Sequence, residues 1–98
     1  MNPTTIILYK HFIAAVIWFI IIMIYAFSDN LNKESAMMAG LWLFTALHVL
    51  TCLVMAVVNF ISGNSAAGKT NLLALVLVAL SPFVFYPLGY LLLRWFGR

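Results

Sequence analysis

Charged side chains are scarce in this chain of 98 residues. They make up 7% of it, and Asp29 and Glu34 are its only acidic residues. Typical soluble domains carry about 25% charged residues, and a chain this short cannot hide so much apolar surface in one core. The five lysines and arginines are scattered along the chain, so they form no basic face for nucleic acid. One cysteine, Cys52, excludes a disulfide within the chain.

Hydrophobic residues make up 66% of the sequence and are concentrated in three long runs, Ile6–Phe27, Ala36–Ile61 and Leu72–Phe96. Each run exceeds the ~20 residues that a helix needs to cross a bilayer, and backbone in hydrocarbon must satisfy its own hydrogen bonds. We therefore predict an all-α membrane protein: a single integral domain over residues 1–98, with three transmembrane helices in an up-down-up bundle. The predicted N-caps of the second and third helices are Ser35 and either Thr70 or Asn71.

The third run contains Pro82 and Pro87, and each removes a helical N–H donor. We expect one transmembrane helix kinked at these prolines, with Ser81 helping to satisfy the freed carbonyls. The alternative is a re-entrant hairpin that turns between Ser81 and Pro87.

Basic residues set the expected orientation. With three spans, Lys10 and Lys69 lie on one side of the membrane, and Lys33, Arg94 and Arg98 lie on the other. The positive-inside rule then favours a cytoplasmic C-terminus in the cytoplasmic (inner) membrane.

The second joint contains GNSAAGKT, Gly63–Thr70, which fits the phosphate-loop pattern G-x-x-x-x-G-K-[ST]. A nucleotide site also needs an acidic partner for Mg²⁺, but both acidic residues lie in the first joint, Ser28–Ser35, across the membrane. We therefore interpret the segment Ser62–Asn71 as a polar hairpin joint and predict no nucleotide binding.

One stripe of non-aliphatic residues follows the second run at alternating spacings of three and four. That spacing is typical of a packed helix seam, and polar side chains in membranes usually face protein. The stripe consists of Thr45, His48, Cys52, Met55, Asn59 and Ser62. A weaker heptad stripe on the first run consists of Thr4, His11, Trp18 and Tyr25. Ala36 and Gly40 form a small-xxx-small step that lets two helices approach closely.

Two cofactor hypotheses compete with simple packing. His48, Cys52 and Met55 share one helix face and have the ligand types that suit Cu(I). His11 and His48 are candidate axial ligands of a haem. Counted from the middle of each run, however, His11 lies ~9 Å above His48, whereas two ligands of one iron lie at one level. We therefore predict no cofactor and no metal.

The leading functional hypothesis is a small accessory or structural subunit, because the spans contain no carboxylate and the chain shows no nucleophile–base pair of an enzyme. It would pack its stripe against a larger membrane complex or against its own copies. One alternative is a homo-oligomeric pore or small-solute transporter, including holin-like proteins. The other is a haem- or copper-binding membrane subunit.

Overall fold

Helices account for nearly all of the structure. The computed structural model describes residues 2–29 and 31–96, with α1 at Pro3–Ser28, α2 at Lys33–Ile61, α3 at Ser65–Leu80 and α4 at Pro82–Phe96. Helices α3 and α4 follow each other through Ser81 as one apolar span, Ser65–Phe96. With α1 and α2 this makes three helices long and apolar enough to cross a membrane. The predicted all-α integral membrane fold is confirmed.

Asparagine begins each of the three spans. Asn2, Asn32 and Asn64 each accept a hydrogen bond from the backbone N–H three residues later. This satisfies one of the donors that a helix start leaves free. The predicted caps at Ser35 and at Thr70 or Asn71 are therefore wrong. The helices extend past the apolar runs because polar residues at headgroup level continue the helix as readily as apolar ones.

The phosphate-loop match falls mostly within a helix. Gly63 takes a positive φ of 85° in the turn and Asn64 caps α3, so Ser65 to Thr70 form its first turns. The predicted joint Ser62–Asn71 shrinks to three residues. Gly68 lies against the exposed Phe60 side chain, and a Cβ there would lie 2.8 Å from the ring. The absence of nucleotide binding stays a prediction.

The third span bends without turning back. Ser81 has helical dihedral angles, φ −58° and ψ −33°. Pro82 has no N–H to donate to the Val78 carbonyl. That carbonyl instead accepts the backbone N–H of Ser81 at 3.0 Å and the Ser81 hydroxyl at 2.6 Å. Pro87 is accommodated within α4. The kinked span is therefore confirmed over the hairpin.

Close contacts at both ends show that the third span runs the full length of the bundle. Gly68 of α3 packs on Phe60, beside the α2–α3 turn, and Gly89 of α4 packs on Met23 and Met37, near the α1–α2 turn. Between α1 and α2 the Ile22 side chain packs directly on Gly40, where a Cβ would lie 2.9 Å from it. The small-xxx-small step therefore does bring two helices together.

The α1–α2 turn is held by local polar contacts. The Asp29 carboxylate accepts the backbone N–H groups of Leu31 and Asn32 at 2.8 and 3.0 Å. These two hydrogen bonds hold the pKa of Asp29 below its ordinary value, so the carboxylate stays charged at neutral pH. The Lys33 ammonium donates to the carbonyls of Phe27 and Asp29 at the end of α1. These contacts link the end of α1 to the start of α2 and so help to set the register of the two helices.

Candidate functional site

Five side chains that are polar or carry a hydrogen-bonding group meet inside the apolar bundle. His11 and Trp18 come from α1, His48 and Cys52 from α2, and Asn71 from α3. All five are buried, and Cys52 and Asn71 are almost fully inaccessible. Each of the three spans thus contributes to one cluster, which we call the histidine cluster.

The hydrogen bonds of the histidine cluster run in one direction. The Trp18 indole N–H donates to His48 Nδ1 at 3.0 Å, and an indole nitrogen can only donate. The neutral His48 ring therefore carries its proton on Nε2, which donates to His11 Nδ1 at 2.9 Å. His11 in turn carries its proton on Nε2, which donates to Asn71 Oδ1 at 2.9 Å.

The chain of donors ends on the backbone. Asn71 Nδ2 donates to the Ala67 carbonyl at 2.9 Å, which fixes the orientation of the amide and leaves Oδ1 facing His11. Every ring nitrogen of His11 and His48 therefore has a partner with both rings neutral. A buried network that is fully paired avoids the desolvation cost of an unpaired group.

Cys52 adds a thiol to the two imidazoles. Its Sγ lies 3.6 Å from His11 Nδ1, and the cysteine is free. One ligand atom from each of His11, His48 and Cys52 lies within 4.8 Å of the others. Two nitrogens and one sulfur thus converge on a single point, a donor set that suits soft or borderline metal ions.

A groove borders the histidine cluster. Its volume is about 450 Å³, and it runs along the seam between α1 and α2. Lys10 and Met55 lie along it with His11, His48 and Trp18. Because the groove reaches both imidazoles, it connects the cluster with the surface of the bundle.

The histidine cluster lies closer to one end of the bundle. His11 lies eight residues after the start of α1, Cys52 nine residues before the end of α2, and Asn71 six residues after the start of α3. At 1.5 Å per residue this is ~9–14 Å from the end that carries the α2–α3 turn. The cluster is therefore within the hydrocarbon, on the Lys10 side.

Only part of the predicted α2 stripe packs within the chain. Thr45, His48 and Cys52 are buried, whereas Met55 and Ser62 are exposed. Asn59 is half-buried and donates to the carbonyl of Met55 on its own helix. The buried face continues through Ala56 instead, because a straight helix has 3.6 residues per turn and drifts away from a repeat of 3.5.

The predicted offset of ~9 Å between His11 and His48 is wrong, since their ring nitrogens are 2.9 Å apart. Register in a helical hairpin is set by the turn and not by the middle of each run. His11 lies 18 residues before Asp29 and His48 lies 16 residues after Asn32, which matches their levels to ~3 Å. Counting outward from the polar joint would have given the correct pairing.

Space still opposes haem between the two histidines. Trp18 contacts His48, while Cys52 and Asn71 contact His11, so side chains surround the gap between the rings. A planar macrocycle would have to separate α1 from α2 there. A single ion would require the two ring nitrogens to separate only from 2.9 Å to roughly 3.5 Å. The candidate ligand set of the copper hypothesis changes, because the structure groups His11 with His48 and Cys52, whereas Met55 is exposed.

Two members of the histidine cluster lay outside the predicted cofactor sites. Trp18 was on the heptad stripe of the first run, and that stripe is buried at His11 and Trp18 but exposed at Thr4 and Tyr25. Asn71, one of the predicted helix caps, instead lies in the second turn of α3. Asn71 was not predicted as a site residue, because it ends the segment that was interpreted as a joint.

Comparisons with known protein families, with curated proteins and with solved structures give no match to this chain.

Proposed function

We propose that this chain is a membrane-embedded copper(I)-binding subunit whose ligands are His11 Nδ1, His48 Nε2 and Cys52 Sγ. The observation that carries the proposal is the convergence of these three donor atoms within 4.8 Å inside an apolar bundle. The proposed role is binding, since both imidazoles and the thiol would be occupied as ligands.

Charge selects Cu(I) over divalent ions. A net charge in hydrocarbon is expensive, and Cu⁺ with one Cys52 thiolate and two neutral imidazoles forms a complex with no net charge. Zn²⁺ on the same ligands would leave one positive charge and an open fourth position. Asp29 and Glu34, the only carboxylate side chains of the chain, lie at the α1–α2 turn, far from the cluster.

The surroundings of His11 suit a metal ligand. Ligating histidines almost always donate their second ring N–H to an oxygen, which fixes the tautomer and the ring orientation. The bond from His11 Nε2 to Asn71 Oδ1 does this and leaves Nδ1 facing His48 and Cys52. Donors bound to one ion at about 2.0–2.3 Å stand roughly 3.5 Å apart, so the imidazoles need to separate only slightly.

The test is a Cu(I) titration of the purified protein in detergent under reducing conditions, against a chromogenic Cu(I) chelator. We expect one Cu(I) per chain. Because second-shell changes already cost about 10–100-fold in affinity, Cys52→Ser should weaken binding by more than about 100-fold. X-ray absorption should show two nitrogen donors and one sulfur donor.

Met55→Leu is the matched control, because Met55 shares the α2 face but lies exposed along the groove. It should leave Cu(I) affinity unchanged. Equal losses for Met55→Leu and Cys52→Ser, with both variants helical by circular dichroism, would contradict the assigned ligands. A wild-type protein that takes no Cu(I) from the chelator would reject the function.

A second candidate function is the accessory subunit, favoured by the outer part of the stripe. Met55 and Ser62 remain exposed and Asn59 half-buried, so this face keeps polar groups that a partner helix or another copy of the chain can contact. Purification in mild detergent tests it: a partner or oligomer retained by the wild type and lost with Asn59→Leu supports it. A lone monomer in both cases would reject it.

The pore alternative receives less support. It requires the stripe to line water, whereas Thr45, His48 and Cys52 pack between helices of one chain. For the location we propose the cytoplasmic (inner) membrane, with the C-terminus in the cytoplasm. The helical spans favour this membrane, since outer-membrane proteins are characteristically β-barrels.

A further inference from the structure

Copper coordination and the hydrogen bonds of the histidine cluster compete for the same atoms. The indole N–H of Trp18 occupies His48 Nδ1, which places the His48 proton on Nε2. Nε2 is also the nitrogen that faces His11 and Cys52. It cannot bind an ion while it carries that proton.

We infer that Trp18 is the release element of the copper site, a positioning residue that makes Cu(I) binding reversible. This inference rests on the proposed function. When the ion binds His48 Nε2, the ring proton must be on Nδ1, where it faces the Trp18 N–H donor to donor. Binding therefore breaks the Trp18–His48 hydrogen bond, and release restores it.

The protons of this exchange balance without a redox step. Cu(I) forms bonds to His11 Nδ1, His48 Nε2 and Cys52 Sγ. Before binding, the site holds the Cys52 thiol proton and the His48 Nε2 proton. After binding it holds one proton on His48 Nδ1, so one proton leaves by way of the two imidazoles, which line the groove together with Lys10. Copper stays Cu(I) throughout. On release, each ring nitrogen regains a hydrogen-bond partner, so departure of the ion leaves no buried imidazole nitrogen unpaired.

The hydrogen bonds of Trp18 and Asn71 respond differently to copper binding. The bond from His11 Nε2–H to Asn71 Oδ1 is compatible with both states, because His11 offers Nδ1 to the ion or to His48 without changing its tautomer. The bond from Trp18 is compatible with one state only. A site built for permanent retention would have an acceptor where Trp18 has a donor, so this arrangement indicates a site that passes its ion on.

The experiment compares Cu(I) affinity and release rate in the wild type, in Trp18→Phe and in the control Trp42→Phe. Phenylalanine keeps an aromatic ring against Phe44 and Phe85 but removes the N–H donor. Trp42 lies on the exposed side of α2. Trp18→Phe should bind Cu(I) about five- to tenfold more tightly, the worth of one neutral hydrogen bond, and release it more slowly. Trp42→Phe should match the wild type.

A second measurement needs no copper. Nitrogen-15 spectra of the wild-type histidines after chelation should show His48 protonated on Nε2, with Nδ1 as an acceptor. If the wild type binds Cu(I) but Trp18→Phe binds no more tightly, or if the spectra show Nδ1–H, the release role is rejected and the copper function stands. If neither protein binds Cu(I), the copper function itself is rejected.

Discussion

At the residue scale, Thr45 differs from every other buried polar side chain in the described part of the chain. Its hydroxyl oxygen has no hydrogen-bond partner there, while the side chain is buried one turn before His48. An unpaired buried hydroxyl carries its full desolvation cost. Thr45 therefore belongs to the packed face of α2 by position and contributes no polar contact to the histidine cluster.

Replacing Thr45 by valine should increase stability, because the substitution removes the unpaired oxygen and keeps a branched side chain of similar size. We expect a gain of about 1 kcal/mol in the free energy of unfolding, measured by denaturing titration in mixed micelles. Thr70→Val is the matched control, since the Thr70 hydroxyl donates to the Ala66 carbonyl at 2.9 Å. A loss of stability in Thr45→Val would contradict the assignment.

The sequence identified the buried polar residues of α2 but not the residues of other helices that contact them. The residue types of His48 and Cys52, and their spacing of one turn, identified the buried part of α2. The partners His11 and Asn71 come from other helices, and their levels depend on where the turns fall. Periodicity within one helix contains no information on that register.

At the element scale, the α1–α2 interface depends on one position without a side chain. A Cβ at Gly40 would lie 2.9 and 3.0 Å from Cγ1 and Cγ2 of Ile22, which is buried and branched at Cβ. A branched, packed side chain has few other rotamers. Helix α1 would therefore have to move away from α2.

Gly40→Ala should thus destabilise the bundle by about 1–3 kcal/mol, in spite of the ~1 kcal/mol that alanine gains in helix propensity. Gly68→Ala is the control: a Cβ there meets the Phe60 ring, which is 41% exposed and so has space to move aside. Unfolding titrations of both variants should rank Gly40→Ala as the more damaging. The reverse order would show that the α1–α2 contact does not limit stability.

Helix number and type could be predicted from the apolar runs, whereas the helix ends could not. The runs mark the lipid-facing lengths, but α2 begins at Lys33 and α3 at Ser65, where the sequence is polar. Asn32 and Asn64 resembled ordinary joint residues. Only the backbone geometry distinguishes an asparagine that caps a helix from one in a loop.

At the scale of the whole molecule, the three spans place the basic residues at opposite ends. Lys10 and Lys69 lie at the end with the α2–α3 turn, and Lys33 and Arg94 lie at the end with the α1–α2 turn. Arg98, which was counted with the second group, lies outside the described residues. The histidine cluster is then nearer to the membrane face opposite the C-terminus.

Reporter fusions after Gly63 and at the C-terminus should therefore report opposite sides of the membrane, with the C-terminal fusion in the cytoplasm. Fusions that report the same side would contradict a third span that crosses completely. If the two fusions report opposite sides but the C-terminal fusion lies outside the cytoplasm, the proposed orientation is reversed and the three-span fold still holds.

The histidine cluster also imposes an order on biosynthesis. A membrane protein is made from its N-terminus at ~5–20 residues per second, so His11 and His48 leave the ribosome before Asn71. The first two helices can join Trp18, His48 and His11, but the last N–H of that series has no acceptor until the third helix arrives. A hairpin of α1 and α2 alone therefore contains a buried N–H group whose acceptor arrives only with α3.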